Sequence, residues 1–446
     1  MVKGVHFLGI GGSGASAAAA IAQAQGFEVT GCDLEPNNEF TIKFKKSQLL
    51  KGHSASHLKS ENVDILAVTP AIFSLDPHNP ELMEARKLGI PVITWQQFVG
   101  EYLTKDEQSS RASRTKIVIA VTGTHGKTTT TAMIAKLLED DGLDPTVLLG
   151  AIVPWWGTNY RIQRQKVDDR QYFVVEADEF NDNFLHFKPD IVVVTNIEMD
   201  HPEYFKDFQA VKTSFKKFLE STKQTIVANL SDPGVKQTLN AQTRFGNSII
   251  DYSQHLIDFP LQIPGEFNRW NASAAYQVGL LLGVQPLSVK KSLQNFSGVG
   301  RRFEYIGKFK GAQVYSDFGH HPTEIKVTLE AARQKFPDER ILVVYQPHMF
   351  SRTKFLFEEF VKVFKGCPVD KVFMLDIYPS REIDTGLVTS QQLVKAISHP
   401  KGVIIYLGSS SEALDKIKPE IKPGDIVFFM GAGDTDYLAK KLVNIS

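Results

Sequence analysis

The sequence predicts an α/β protein built from parallel sheets and divided into three domains. The chain has 446 residues, which is more than one hydrophobic core usually spans. Short apolar runs typical of strands alternate with helical patterns along almost the whole chain, as βαβ units require. Two glycine-rich turns each stand between a strand pattern and a helix pattern, where α/β proteins commonly bind phosphate groups.

The first predicted domain, residues 1–107, opens with a strand at residues 5–8 and a glycine-rich turn of the form G-x-G-x-x-G. A helix of small residues follows, and Asp33 ends the next strand at the spacing of a ribose-binding acid. Such a turn can bind the diphosphate of any nucleotide, including a nucleotide-linked substrate. The alternative is a purely structural turn with Asp33 as a loop cap. The predicted substrate-binding residues are Gly11, Gly12, Ser13, Gly14 and Asp33.

The second predicted domain, residues 114–298, opens with an apolar strand, a second glycine-rich turn and a helix. Backbone N–H groups in such a turn point inward and can bind a polyphosphate. Lys127 adds a positive charge, and the Thr128 hydroxyl can hold Mg²⁺. The turn therefore predicts an ATP user, and the alternative is a structural turn beside a solvated lysine. The predicted nucleotide-binding residues here are Gly123, Thr124, His125, Gly126, Lys127, Thr128 and Thr129.

Two further strands of this domain, residues 172–175 and 191–194, end in polar clusters that contain Glu176 and His201. If these strands are parallel neighbours of the strand before the turn, Thr128, Glu176 and His201 converge beside the phosphates. Oxygen ligands suit Mg²⁺, so these three are the predicted metal ligands, although His201 is a softer ligand and is alternatively a loop histidine. The nearby acids predicted to be solvated instead are Asp178, Glu179 and Asp200.

The third predicted domain covers residues 299–446. Its predicted strands are residues 312–315, 341–345, 371–375, 403–406 and 426–430, with a helix over 324–335. Arg301 and Arg302 stand at its start, where arginines facing a triphosphate would offset the charge that develops during phosphoryl transfer. The alternatives are an exposed hinge pair for these arginines and helix-cap roles for His320 and His321. The linkers at residues 104–115 and 297–300 are the predicted hinges.

The composition excludes several classes of function. Basic and acidic residues balance at 50 each, so we expect no nucleic-acid or membrane partner. Cys32 and Cys367 lie far apart in the sequence and indicate neither a disulfide framework nor a metal site, which fits a reducing cytoplasm. We find no signal-type segment and no apolar run of transmembrane length, so a cytoplasmic location is expected.

Taken together, these motifs resemble the Mur ligase family over nearly the whole chain. The Gly-Thr-His-Gly-Lys-Thr turn marks the superfamily, and the later motifs are closer to its alanine-adding branch than to the others. The remaining segments that carry the resemblance are residues 9–14, 176–179, 195–198 with 200–201, 300–303, 319–324, 346–348 with 352–353, 376–379 and 431–434.

The resemblance implies a Rossmann-like domain for the UDP-sugar, a central P-loop ATPase-like domain for ATP, and a Rossmann-like C-terminal domain for the amino acid. It implies an ATP-dependent ligase that joins L-alanine to the carboxylate of UDP-N-acetylmuramate through an acyl phosphate, in peptidoglycan biosynthesis. ATP and Mg²⁺ are the implied cofactors. The oligomeric state stays open at this point.

The resemblance also assigns roles to individual residues. Lys127 would contact the β- and γ-phosphates, and Glu176 and His201 would hold Mg²⁺ together with Thr128. His348 and Arg352 would lie near the incoming amino acid and the transferring phosphate. The residues implied to reach the adenine or another part of the nucleotide are Asn268, Arg302 and Asp317.

The chain departs from the family pattern at three positions. Phe267 stands where relatives commonly have histidine, Ser316 where an acid is common, and Met349 where arginine is usual. Lys212 is a possible counterpart of a lysine that related ligases carbamylate. The alternatives are a sister ligase that attaches a preformed tripeptide to the same sugar, a nucleotide-binding scaffold without turnover, and an NAD-dependent dehydrogenase. The dehydrogenase would leave Lys127, Thr128 and the Glu176 cluster unexplained.

Overall fold

A computed structural model describes residues 4–59, 62–105, 115–164, 170–239, 248–397 and 403–444. The chain forms two compact units. The first consists of Met1–Glu198, Phe208–Pro260 and Trp270–Phe296, and the second of Met199–Asp207, Leu261–Arg269 and Ser297–Ser446. The first unit contains two sheets and the second contains one. The predicted domain boundaries stay a prediction, and most of the linker at 104–115 lies outside the described residues.

The first sheet contains five parallel strands. They are β1 (Gly4–Leu8), β2 (Glu28–Asp33), β3 (Leu49–Lys51), β4 (Ile65–Val68) and β5 (Val92–Thr94). The accompanying α-helices are α1 (Ser13–Ala24), α2 (Ala71–Leu75), α3 (Pro80–Leu88) and α4 (Trp95–Phe98). The strand order is β3-β2-β1-β4-β5. The first glycine-rich turn joins β1 to α1 and Asp33 ends β2, as the sequence predicts.

The second sheet contains seven strands. They are β6 (Thr115–Thr122), β7 (Thr146–Val153), β8 (Thr158–Arg161), β9 (Arg170–Glu176), β10 (Ile191–Val194), β11 (Thr225–Ala228) and β12 (Ser248–Asp251). The α-helices of this stretch are α5 (Lys127–Asp140), α6 (Phe208–Glu220), α7 (Pro233–Thr238), α8 (Glu266–Leu281) and α9 (Pro286–Gln294). The order is β12-β11-β10-β6-β9-β7-β8, and only β8 runs antiparallel to its neighbour. The predicted parallel neighbours of β6 are therefore confirmed as β9 and β10.

The third sheet contains six strands. They are β13 (Glu304–Phe309), β14 (Ala312–Asp317), β15 (Ile341–Tyr345), β16 (Lys371–Leu375), β17 (Val403–Gly408) and β18 (Ile426–Met430). The α-helices are α10 (Pro322–Lys335), α11 (Phe350–Phe355), α12 (Phe357–Gly366), α13 (Ser390–Ala396), α14 (Ser410–Ile417) and α15 (Thr435–Asn444). The order is β13-β14-β18-β15-β16-β17, with β13 antiparallel to β14. All five predicted strands are present, and β13 is an addition that the sequence pattern did not reveal.

The third sheet is buried on both faces, which explains why its strands are continuous apolar runs. Along β15, Val343 and Tyr345 belong to one hydrophobic cluster, whereas Leu342 and Val344 belong to the cluster on the opposite face. Alternate side chains of a strand point to opposite faces, so two covered faces demand apolar residues at every position. None of the described helices combines the length and apolar character needed to cross a membrane.

Candidate active site around the second glycine-rich turn

The second glycine-rich turn runs close to the end of β10. Gly123 has φ +130° and Gly126 has φ +82°, in the region that favours glycine. A Cβ on Gly123 would lie 2.1 Å from Thr195 Oγ1. The Thr195 hydroxyl donates to the carbonyl of His125 at 2.6 Å, and Asn196 Oδ1 accepts from the His125 N–H at 2.8 Å. The glycines therefore permit the close approach, and the polar residues after β10 hold the turn in place.

Lys127 folds back over the turn that precedes it. Its ammonium group donates to the carbonyl oxygens of Gly123 at 2.7 Å and Thr124 at 3.2 Å, and to Glu179 Oε2 at 2.9 Å. We call this arrangement of Lys127 with Gly123, Thr124 and Glu179 the Lys127 clamp. Burial alone would lower the pKa of Lys127, but the Glu179 and Asp178 carboxylates outweigh it and raise that pKa above its ordinary value. Lys127 is therefore a fixed positive charge at the start of α5.

The prediction that Glu179 is a solvated loop acid is wrong. Only 2% of Glu179 is exposed, and its carboxylate forms an ion pair with Lys127. A buried carboxylate is stable only where a cation or hydrogen-bond donors compensate it, and Lys127 supplies both. Asp178 has a more exposed side chain and lies 3.7 Å from the same ammonium group.

Two of the three predicted metal ligands lie together. The Thr128 hydroxyl donates to Glu176 Oε1 at 2.8 Å, and the backbone N–H of Gly150 donates to Glu176 Oε2 at 2.7 Å. Thr128 is buried at the start of α5, and so is Thr129. A hydroxyl and a carboxylate are hard oxygen donors, so this pair fits Mg²⁺ in the chemistry of its ligands.

His201 belongs to the second unit, where it lies in the segment Met199–Asp207. Its Nδ1 lies 3.1 Å from Glu203 Oε1 and 3.3 Å from the Arg381 guanidinium, and Arg381 also pairs with Glu203. Glu203 and Arg381 were not predicted, because no sequence spacing relates a residue near 200 to one near 380. The role of His201 as a metal ligand stays a prediction.

His348 and Arg352 lie together, and their roles toward the amino acid and the phosphate stay predictions. Arg352 Nη1 is 3.0 Å from His348 Nδ1, and Arg352 Nε donates to Asp200 Oδ1 at 2.8 Å. The prediction that Asp200 is a solvated acid is wrong, because only 7% of Asp200 is exposed. Its partner Arg352 is also buried, with 1% exposed. Burial alone would raise the pKa of Asp200, but Arg352 and His201 hold it well below its ordinary value. The ion pair fixes the guanidinium beneath His348.

Arg302 lies just before β13, and Asp317 is the last residue of β14. The Asp317 carboxylate accepts from the backbone N–H groups of Phe303 and Gly319, each at 2.8 Å. Burial raises the pKa of Asp317, although Arg302 acts in the opposite direction. The Arg302 guanidinium lies 4.8 Å from the centre of the Phe318 ring. These contacts fix the loops, and their predicted roles toward a nucleotide stay predictions.

The structural roles considered as alternatives for Arg301, His321 and Asp33 have different outcomes. Arg301 is half-buried rather than exposed, and it donates to the carbonyl of Gly431 at 2.8 Å, whereas its hinge role stays a prediction. His321 is the N-cap of α10 and accepts from the N–H of Thr323 at 3.2 Å, so the helix-cap interpretation is confirmed for it. Asp33 Oδ2 accepts from the Gly11 N–H at 2.9 Å, which is the loop-cap role.

The first glycine-rich turn is closely packed. A Cβ on Gly14 would lie 2.3 Å from Trp95 Cζ2. Gly12 is the N-cap of α1, and the carbonyl of Ser13 accepts from Asn159 Nδ2. A Cβ on Gly11 would lie 2.8 Å from Asp33 Oδ2, so packing favours glycine at both positions, and the substrate-binding role of the turn stays a prediction.

The residues at the three departures from the family pattern serve the packing of the second unit. Phe267 packs against the hydrophobic cluster of the third sheet, and the neighbouring Asn268 donates to the carbonyl of Pro264 at 2.7 Å. The Ser316 hydroxyl donates to Asp436 Oδ1 at 2.7 Å. Met349 is fully buried with φ +71° at the N-cap of α11. The predicted contact of Asn268 with adenine stays a prediction.

Three family models match the chain. They are described as the Mur ligase family catalytic domain at residues 4–106, the Mur ligase middle domain at residues 121–256, and the Mur ligase glutamate ligase domain at residues 301–433. A UDP-N-acetylmuramate–L-alanine ligase of Alkaliphilus metalliredigens is 35% identical over 99% of this chain and 97% of its own length.

Solved structures show the same fold. The UDP-N-acetylmuramate-alanine ligase of Thermotoga maritima superposes with a TM-score of 0.77 and 24% identity, covering 100% of this chain and 99% of that one. A murein peptide ligase of Psychrobacter arcticus superposes with a TM-score of 0.70 and 23% identity, covering 99% and 98%. At these identities the likeness concerns the fold alone.

The buried His320 predicts a specific pH dependence of stability. Burial lowers its pKa from 6.5 to about 3, with Arg352 acting in the same direction and Glu324 and Asp200 opposing it. Between these values the unfolded chain binds the proton more readily, so the free energy of unfolding falls as pH drops from about 6.5 toward 3. In His320→Asn this contribution is absent, so we expect the free energy of unfolding to fall less steeply with pH, by up to about 1 kcal/mol per pH unit.

Urea denaturation at a series of pH values measures this difference. Asparagine retains a donor close to the position of Nδ1, which lies 3.1 Å from the carbonyl of Phe318. His255→Asn, at an exposed histidine, is the matched control and should follow the parent chain. If the free energy of unfolding changed with pH in the same way for His320→Asn and the parent chain, the lowered pKa of His320 would be contradicted.

Proposed function

Since the chain belongs to the Mur ligase family, we propose that it is an ATP-dependent ligase that joins L-alanine to the carboxylate of UDP-N-acetylmuramate in peptidoglycan synthesis. The observation that carries the proposal is the Lys127 clamp beside the Thr128–Glu176 pair, where the carboxyl ends of β6 and β9 meet. A relative named for this activity is 35% identical over 99% of the chain, which supports the choice of substrates.

The chemical problem is amide formation from a carboxylate, which is a poor electrophile. The carboxylate attacks the γ-phosphorus of ATP, ADP leaves, and the resulting acyl phosphate has phosphate as a good leaving group. The α-amine of alanine attacks the acyl carbon, and phosphate leaves from a tetrahedral intermediate. Each step brings negative groups together or develops charge, so preorganised cations stabilise the transition states.

Lys127 is suited to the phosphoryl-transfer step. Its ammonium group is held by the Gly123 and Thr124 carbonyls, at the N-terminus of α5, where backbone N–H groups favour anions. Because it is already positioned, little reorganisation is needed when a triphosphate binds. Glu179 keeps the lysine charged in a buried setting and orients it.

The Thr128 hydroxyl and the Glu176 carboxylate would hold Mg²⁺. When bound, the ion would offset the charge of the β- and γ-phosphates. The Thr128–Glu176 hydrogen bond of 2.8 Å keeps the two oxygen donors adjacent. The N–H of Gly150 orients the second carboxylate oxygen, in the way that outer contacts orient metal ligands.

The His348–Arg352 pair is suited to the second half of the reaction. A guanidinium buried against Asp200 keeps its orientation and charge, so it can bind a carboxylate or a phosphate oxygen. Burial, with the neighbouring His320 and Arg352, holds the pKa of His348 well below its ordinary value, so the ring is neutral at physiological pH. A neutral ring does not repel an incoming ammonium group, whereas a protonated ring beside Arg352 would.

Removing the Lys127 charge should stop turnover without emptying the UDP-sugar site. We expect Lys127→Ala to lower the rate of phosphate release by about 100-fold or more, whereas UDP-N-acetylmuramate should still bind to the first glycine-rich turn. Phosphate release and calorimetric titration with the UDP-sugar measure the two effects. Lys136→Ala, on the same helix and paired with the partly exposed Asp140, should leave both unchanged.

Lys127→Ala also removes the ion pair between Lys127 and the buried Glu179, which can destabilise the chain. The double variant Lys127→Ala, Glu179→Gln removes the Glu179 charge as well and should be equally inactive with near-normal UDP-sugar binding. Retained turnover in either folded variant would contradict the role of Lys127. Loss of UDP-sugar binding in the folded double variant would contradict the separation of the two sites.

The acceptor is tested by a panel of amines. With UDP-N-acetylmuramate, ATP and Mg²⁺, we expect phosphate release to depend on L-alanine and to be slower with serine or glycine. Release only with the preformed tripeptide would move the function to the sister ligase. Absence of release with every acceptor, from a folded chain that binds ATP, would favour a scaffold without turnover.

A further inference from the structure

Four potential metal ligands meet at the first sheet, close to the first glycine-rich turn. They are His6 on β1, Cys32 on β2, His57 in the 3₁₀ helix Ala55–Leu58, and Glu81 in the first turn of α3. We call them the His6–Cys32 cluster. One donor atom from each lies within 4.8 Å of every other. His6, Cys32 and Glu81 are fully buried, and the side chain of His57 is 15% exposed.

Glu81 stands at the centre of the cluster. Its Oε1 lies 2.9 Å from His57 Nδ1 and 3.0 Å from Cys32 Sγ, and its Oε2 lies 3.2 Å from His6 Nε2. The N–H of Ser54 donates to Oε1 at 3.1 Å. A carboxylate, a thiol and two imidazoles therefore occupy one small volume with their donor atoms facing each other.

His6 provides an independent indication of a ligand. Its Nδ1 lies 2.8 Å from the Thr30 hydroxyl, which fixes the ring. Its Nε2 is turned into the cluster and has no partner in hydrogen-bonding geometry among the described residues, although Glu81 Oε2 is near. A fully buried polar atom without such a partner is costly. A metal ion bound at Nε2 would satisfy it, with Thr30 in the position of an outer contact.

We propose that the His6–Cys32 cluster is a closed, four-coordinate site for a divalent metal ion of the zinc type. The donor set of one thiolate, two imidazoles and one carboxylate suits such an ion, whereas Mg²⁺ and Ca²⁺ prefer oxygen ligands alone. Tetrahedral bonds of about 2.0–2.3 Å place ligand atoms about 3.3–3.7 Å apart. The contacts of Glu81 with the other three residues, at 2.9–3.2 Å, are slightly shorter than that spacing, and all four donor atoms lie within 4.8 Å of one another, so side-chain shifts would admit an ion.

The proposed ion would have a structural role. Four protein ligands leave no open position for a substrate, as in structural zinc sites. The carbonyl of Cys32 accepts from the N–H groups of Gly9 and Ile10 at 2.9 and 3.1 Å. The ion would thus join the strand ends that carry the first glycine-rich turn to α3. On binding, the Cys32 thiol would release its proton to solvent and form the sulfur–metal bond.

The alternative is a hydrogen-bond network that needs no ion, and cobalt substitution separates the two. The full-length chain, freed of metal with a chelator and kept reduced, is titrated with Co²⁺. The proposal predicts the thiolate-to-cobalt charge-transfer absorption and the strong visible bands of tetrahedral Co²⁺, saturating at one ion per chain. Zn²⁺ should displace the Co²⁺ and raise the melting temperature. Co²⁺ bound by other histidines gives no thiolate band.

Variants locate the ion. Cys32→Ser should abolish the thiolate band and weaken Zn²⁺ binding by about tenfold or more. Cys367→Ser removes the other buried cysteine and should leave the band unchanged. His57→Ala changes the most exposed of the four ligands, so it tests the site if Cys32→Ser fails to fold, and it should weaken binding while the thiol remains. No thiolate band in the folded parent chain, or a band that survives in Cys32→Ser, would overturn the proposal.

Discussion

The buried ion pair between Lys127 and Glu179 is the interaction on which the proposed active site depends. It places a positive charge at the N-terminus of α5 and holds it there through the Gly123 and Thr124 carbonyls. A lysine that was free to move would have to be ordered when a triphosphate binds, and that ordering would oppose catalysis. The carboxylate that orients the lysine also keeps it protonated.

Strand order brings the other participants to this charge. Because β6 lies between β9 and β10, Glu176 at the end of β9 reaches Thr128, and Thr195 and Asn196 after β10 reach the turn itself. The positive φ of Gly123 and Gly126 is required by this close approach. Strand order, glycine-rich turn and ion pair therefore form one connected arrangement.

Local patterns predict much of this arrangement, and long-range pairs account for what they miss. The apolar runs and the glycine-rich turns predict the strands, the turn-to-helix junctions and the Thr128–Glu176 contact. The burial of Glu179 and Asp200 was missed, because acids after a strand are usually solvated and their partners lie 52 and 152 positions away. The His6–Cys32 cluster was missed for the same reason, because Cys32 and Glu81 are 49 positions apart in the sequence. β13 was missed because its residues are only partly buried.

In the proposed reaction, this chain activates a carboxylate by phosphorylation at the Lys127 clamp. Oxygen-isotope transfer tests this step, with UDP-N-acetylmuramate that carries ¹⁸O in its lactyl carboxylate, together with ATP, Mg²⁺ and L-alanine. An acyl phosphate leaves one carboxylate oxygen in the released phosphate, so mass spectrometry should find a single ¹⁸O in each phosphate formed. Unlabelled phosphate, released at the same rate as the amide product, would contradict the account.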